Sequence, residues 1–155
     1  MKKPLFTLLS AAILLVCIPS CAQTAYPDLP DAAIAFDMGS YTDTNDNDAT
    51  YATIEYEGRT YLPYGTINQS FQVKDVDQCV GYIVEEENSS SDSDESNTET
   101  RVYTLADDSD HNYLVVYYVG STLMNQPGFL RAVDTAHEDI STPEYIDSLE
   151  YAFWE

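Results

Sequence analysis

Apolar and polar positions alternate along much of the chain from residue 51 onward. In "YATIEYEGRTYLPYG", residues 51–65, Tyr, Thr and Ile recur at a strand's period of two, and Glu57-Gly58 divides the run into halves. Glycine supplies the positive φ of a tight hairpin, so the stretch predicts two antiparallel strands. Pro63 confines the second half to a sheet edge or a strand end. "SFQVKDVDQCVGYIVEE", residues 70–86, predicts a strand around Cys79 to Val84, where Gly81 marks a bulge or a close backbone approach. "RVYTLADDSDHNYLVVYYVG", residues 101–120, reads as a hairpin whose turn is the Asp107-Asp108-Ser109-Asp110 cluster. Its second arm, "YLVVYYV", is almost continuously apolar and belongs in the middle of a sheet. "GFLRAVD", residues 128–134, is one more strand.

The last segment switches period. In "STPEYIDSLEYAF", Thr142 suits an N-cap, Pro143 the first helical position and Glu144 the first turn. Tyr145, Ile146, Leu149 and Phe153 then share one helical face, and Trp154 stands ready to pin the tail. About six strands and one late helix predict a mainly β (β-rich α+β) fold: a small antiparallel sheet or half-open barrel with a C-terminal helix.

Residues 1–50 have no such alternation. Lys2 and Lys3 precede an apolar run, residues 4–18, which is shorter than the roughly 20 residues that span a bilayer. Positive start, short apolar run and small residues form an export signal over residues 1–20. Ile18-Pro19-Ser20-Cys21 resembles a lipobox, in which an aliphatic, a variable and a small residue lead to a cysteine that becomes the new N-terminus. Pro19 departs from the usual Ala, Ser, Thr or Val. Cys17 fits worse, since bulky Val16 precedes it. The expectation is a lipid-modified Cys21, with more than one chain, because a single chain anchors only marginally. The plain alternative is cleavage after Ala22. The protein is thus expected on the extracytoplasmic face of the cell membrane.

Residues 21–50 carry Pro27, Pro30 and "TDTNDNDAT", and read as an acidic tether. Within it "AAIAFDM" is apolar enough to dock on the domain. A single domain is expected over residues 51–155. It is interrupted by "EENSSSDSDESNTET", residues 86–100, which has no apolar residue and reads as a mobile acidic loop.

Charge sharpens this picture. Removing residues 1–20 leaves four basic against 27 acidic side chains, a formal charge of −23. Such a surface repels nucleic acid, so no nucleic-acid partner is expected. It suits solubility outside the cell, basic partners or cations. Of three cysteines only Cys79 remains as a thiol, in an apolar context that fits a small buried hydrophobe.

Candidate chemistry is sparse. Asp43, Asn45 and Asn47 alternate as in a calcium loop, but the sixth position holds Asp48 instead of Gly and the twelfth Ile54 instead of Glu. Asp107, Asp108 and Asp110 could clamp a cation, although Asp-rich turns arise for local reasons. No cofactor is expected, with calcium at Asp43, Asp107, Asp108 and Asp110 as the alternative, and no catalytic residue is assigned. His111 and His137 are isolated, and Arg131 and Asp134 would point to opposite faces of a strand. There is no phosphate loop, nucleophile elbow or zinc motif. Thirteen Tyr and one Trp serve either exposed stacking surfaces or strand packing, and packing is the preferred reading.

"YLPYGTI", "CVGYIV", "NYLVVYY" and "FLRAVDT" together resemble a group of uncharacterised lipoproteins of Gram-positive gut bacteria, over residues 51–155. That resemblance implies no activity, ligand or functional residue. "EGRTYLPYG" also resembles a strand pair of copper-amine-oxidase-like surface domains, without copper ligands beside it.

The sequence expectation is a lipid-anchored, non-enzymatic surface module that binds or assists an unknown protein partner and meets the membrane through Cys21. A binder of cations or small ligands such as carbohydrate is the alternative, and a hydrolase the third possibility. The first requires an exposed Tyr-rich or acidic patch. The second requires converging carboxylates or an aromatic cleft, and the third a perturbed carboxylate or Cys in a pocket.

Overall fold

The structure is a computed structural model that describes residues 25–43, 49–84, 100–118 and 128–155. The strands are β1 (Ile34–Phe36), β2 (Gly39–Asp43), β3 (Ala49–Tyr56), β4 (Arg59–Ile67), β5 (Val76–Ile83), β6 (Thr100–Leu105), β7 (Tyr113–Tyr118), β8 (Phe129–Ala132) and β9 (Ile146–Ser148). They form one sheet in the order β1-β5-β6-β7-β8-β4-β3-β2, with β9 beside the second half of β4. All pairings are antiparallel except that of β1 with β5. The fold is β-rich and the sheet curls into a half-barrel.

The curl follows from β1 and β2. They lie at opposite ends of the strand order, yet only Asp37 and Met38 separate them. Three peptide units span at most about 11 Å, so the two ends of the sheet must approach each other. Phe36 of β1 accordingly meets Tyr56 of β3, with ring centroids 6.3 Å apart.

Alternation then gives the sheet two buried faces. Phe36, Ile54, Tyr56, Tyr61, Val80, Val102, Leu114, Leu130 and Ala132 fill the inside of the curl. Tyr64, Val76, Cys79, Tyr103, Leu105, Tyr113, Val115, Phe129 and Ile146 form a second cluster, and Val102/Tyr103 and Leu114/Val115 show the switch of face from one residue to the next. This outer cluster is covered by irregular chain: Tyr26 and Leu29 from the N-terminal side, Phe71 from the β4–β5 connection, and Ile140, Tyr145 and Trp154 from the C-terminal side. Burying a large apolar side chain contributes about 1.5–3 kcal/mol, so both layers matter to stability.

The two expected hairpins are present. Glu57 and Gly58 have φ of 50° and 77°, the primed turn that suits a two-residue β3–β4 connection. β6 and β7 pair around the Asp-rich turn, and β7 lies between β6 and β8, inside the sheet as expected. Gly81 falls where the β5–β6 register shifts, and a Cβ there would overlap the Ile34 carbonyl. The close approach read from the sequence is the docking of β1.

Three expectations are corrected. First, the C-terminal segment is not a helix. It holds β9 and a single 3-10 turn, Ala152–Trp154. The groups that would start a helix are used elsewhere. The Thr142 hydroxyl shares a 2.8 Å hydrogen bond with that of Tyr64, and Asn68 Nδ2 donates to the Glu144 carbonyl. β9 pairs with Gly65, Thr66 and Ile67, and Leu149 N–H donates to the Tyr64 carbonyl. Tertiary pairing overrides the helical period. Second, β4 is not an edge strand. Pro63 sits in mid-strand at a local gap: on one side β4 pairs with β3 only as far as Tyr61 and with β9 only from Gly65, and on the other Pro63 pairs with Leu130 next to a register shift. Third, the sheet begins before residue 51: β1 and β2 lie within the expected tether. "AAIAFDM" does dock, as β1. The acidic stretch 86–99 lies outside the described residues.

Candidate functional site

Polar side chains converge at two places. The first is the end of the sheet that carries the β3–β4 turn, the β6–β7 turn and the 3-10 turn Val133–Thr135 after β8. Arg59 opens β4 and ties all three together. Its Nε and Nη2 donate to the Asp134 carboxylate at 2.8–3.2 Å. Its Nη1 donates to the carbonyls of Asp110 and His111, and Nη2 also to Asn112 Oδ1. Hydrogen bonding to Arg59 holds the Asp134 carboxyl below the usual carboxylate range, and the same bond raises Arg59. His111, at φ 51°, sets its Nδ1 2.9 Å from Glu57 Oε2. A carboxylate orienting an imidazole is half of a nucleophile–base arrangement. Among the described residues no hydroxyl or thiol is bonded to the other ring nitrogen.

The second place is the outer face of β8. Arg131 is only 7% exposed, and among the described residues no carboxylate pairs with it. Its Nε donates to Thr135 Oγ1 at 2.9 Å, and its Nη2 to the carbonyls of Thr135 and Glu138. The guanidinium lies 5.2 Å from the ring centroids of Tyr64 and Trp154 and 5.9 Å from that of Tyr113. Aromatic faces attract a desolvated cation by up to about 2 kcal/mol each, which offsets part of the cost of burying it. The tail completes the enclosure: Trp154 Nε1 donates to the Pro63 carbonyl at 2.8 Å. The rings of Tyr64, Tyr113 and Trp154 thus gather around the protein's own arginine.

The residues proposed from sequence are dispersed. Cys21 lies outside the described residues. Asp43 is buried at the end of β2, paired with Ala49 at the start of β3. The Asp107–Asp110 turn lies by the other end of β3, near Tyr56 and Glu57, roughly seven strand residues or ~23 Å away. Asp43 therefore does not join the other three. Within the turn, Asp108 Oδ2 accepts the Tyr113 N–H at 2.7 Å, while Asp107 and Asp110 are exposed. That carboxylate shapes the turn, as Asp does in turns generally. Among the described residues no group of three or more His, Cys, Asp or Glu is placed to hold a metal. Cys79 is buried, with its Sγ 3.6 Å from the Gly81 carbonyl, and His137 is exposed.

Both arginines are visible in the sequence, but the carboxylate that pairs with Arg59 and the rings that enclose Arg131 are not. Arg59 meets Asp134 across 75 residues, a pairing no local pattern signals. Arg131 had one readable cue: a cation inside the apolar strand "FLRAVD" must find partners or face water.

The tyrosines whose side chains are described pack against the fold. Tyr56, Tyr61, Tyr64, Tyr103 and Tyr113 are buried, and the other tyrosines whose side chains are described are half-buried. No protein-family model matches the chain, and neither a curated protein nor a solved structure does.

Proposed function

We propose that this protein is an exported, lipid-anchored, non-enzymatic surface module that serves as an accessory to other proteins at the cell membrane. The observation that supports this reading is how the converging polar groups are used. Arg59, Asp134, Asp108 and Arg131 each bond to the protein's own turns and carbonyls, and the aromatic rings pack within the two cores. What faces outward is acidic. Asp28, Asp31, Asp37, Asp77, Asp107, Asp110, Glu138, Asp139, Glu144, Asp147 and Glu150 are all exposed. A partner would meet this acidic surface, and a basic face is its natural complement. Attachment is assigned to Cys21 on the lipobox-like Ile18-Pro19-Ser20-Cys21.

The test is cell fractionation of the native protein and of Cys21→Ala. The native protein should sediment with membranes and carry a diacylglyceryl mass on a mature N-terminus at Cys21. The variant should be released, or retain its signal, while residues 22–155 melt unchanged. A variant that has lost residues 1–20 and still sediments with membranes, or a native N-terminus at Gln23, would refute the anchor.

A further inference from the structure

The folded unit starts very near the proposed anchor. Tyr26 stacks on Tyr117, with ring centroids 4.6 Å apart and an interplanar angle of 26°, and tilts against Tyr103 at 5.8 Å. Leu29 packs on the same outer cluster. Burial there, with Tyr117 next to it, pushes the Tyr26 hydroxyl up to about 12, as befits a residue that belongs to the fold. Four residues lie between Cys21 and Tyr26, and the five peptide units that join them reach at most about 18 Å. The thirty-residue tether that the sequence suggested would let the domain roam far from the bilayer; this one does not.

We infer that the lipid-anchored protein lies against its own membrane, with the Tyr26 side of the β6–β7 hairpin apposed to the bilayer and the Arg59 end directed away. The inference rests on lipid modification of Cys21. Orientation follows from where Tyr26 docks. It covers Tyr103 and Tyr117, and Tyr117 pairs with Arg101 at the start of β6. The turn of that hairpin, residues 106–112, lies at the other end, where Arg59 ties it to Asp134. Electrostatics does not provide the attachment: Asp28, Asp31 and Asp37 near this side are exposed, and an anionic surface would repel them. The short covalent link does. The partner would then approach from the Arg59 end or along the bilayer, at membrane-proximal height.

The test uses the full processed protein, purified from membranes with its lipid and placed in phosphatidylcholine vesicles that carry an energy-transfer acceptor on the head group. A donor is attached through Asp28→Cys in one preparation and Ser109→Cys in another. Both positions are exposed, whereas Cys79 is buried and stays unlabelled. Transfer from residue 28 should exceed that from residue 109 several-fold. A flexible Gly-Ser spacer of about a dozen residues between Gln23 and Thr24 should erase the difference. Equal transfer from both positions, with the lipid mass confirmed on Cys21, overturns the placement and leaves the anchor standing. Absence of lipid on Cys21 overturns both.

Discussion

Arg131 and Arg59 show how differently one residue type can be used. Arg131 is buried against aromatic faces and backbone carbonyls, and among the described residues no carboxylate pairs with it. Arg131→Ala removes three hydrogen bonds and leaves a void under Trp154, so it should cost about 2–4 kcal/mol in urea unfolding. The emission of Trp154, the protein's only tryptophan, should shift to the red. Arg131→Lys should not restore it, because an ammonium lacks the planar fork. Stability and emission unchanged in Arg131→Ala would mean that the tail is held without the arginine. Arg59–Asp134 is partly exposed, and Asp134→Asn should cost about 1 kcal/mol or less. Its sign with pH is fixed by the lowered carboxyl: the stabilisation is full above about pH 4 and is lost as pH falls through the folded value. The difference between native protein and Asp134→Asn should therefore close in acid, and a difference that widened there would contradict the ion pair. Asp134 is 75 residues from Arg59, and the rings of Tyr64 and Trp154 are distant in sequence from Arg131, whose hydrogen-bond acceptors lie close by at Thr135 and Glu138. The sequence shows a cation in an apolar strand, but tertiary structure chooses its neighbours.

Strands that carry their own turn chemistry were legible. Glu57-Gly58 and the Asp107–Asp110 cluster each mark a hairpin from a few adjacent residues, and alternation assigns the faces. The C-terminal segment was misread because its apolar positions satisfy a helical period, while the deciding bonds come from Tyr64, Gly65 and Asn68, far back in the chain. As built, the tail is a strap: Phe153 meets Tyr41 and Trp154 meets Tyr64, with ring centroids 5.4 and 5.5 Å apart. β1 has a similarly narrow support. At Gly81 any side chain would collide with the backbone of Ile34. Gly81→Val should therefore destabilise by about 1–3 kcal/mol and free the amides around Ile34–Phe36 to hydrogen exchange. Protection of those amides at the native level would show that β1 docks without needing the glycine.

At the scale of the whole molecule, aromatic burial predicts an alkaline limit. Burial pushes the hydroxyls of Tyr26, Tyr61 and Tyr145 up to about 12. The fold favours their neutral form, so the stability they contribute is complete below about pH 10 and is lost as pH rises toward 12. Tyrosinate absorbance should then rise in two phases, the second coinciding with unfolding; a single phase near pH 10 in a still-folded protein would contradict their burial. The sheet's closure was not legible, because a three-residue parallel strand and a two-residue link leave little pattern in an acidic, proline-bearing segment. Yet β1, β2, Tyr26 and Leu29 all come from residues 22–50, and together they close the curl, cover the outer core and set the distance to Cys21. The most direct test compares thermal unfolding of residues 22–155 with that of residues 51–155. The longer chain should melt cooperatively, whereas the shorter one should lose that transition and expose its inner core to a hydrophobic dye. A shorter chain that melts at the same temperature, with the same cooperativity, would return residues 22–50 to the status of a tether and remove the basis for a membrane-apposed domain.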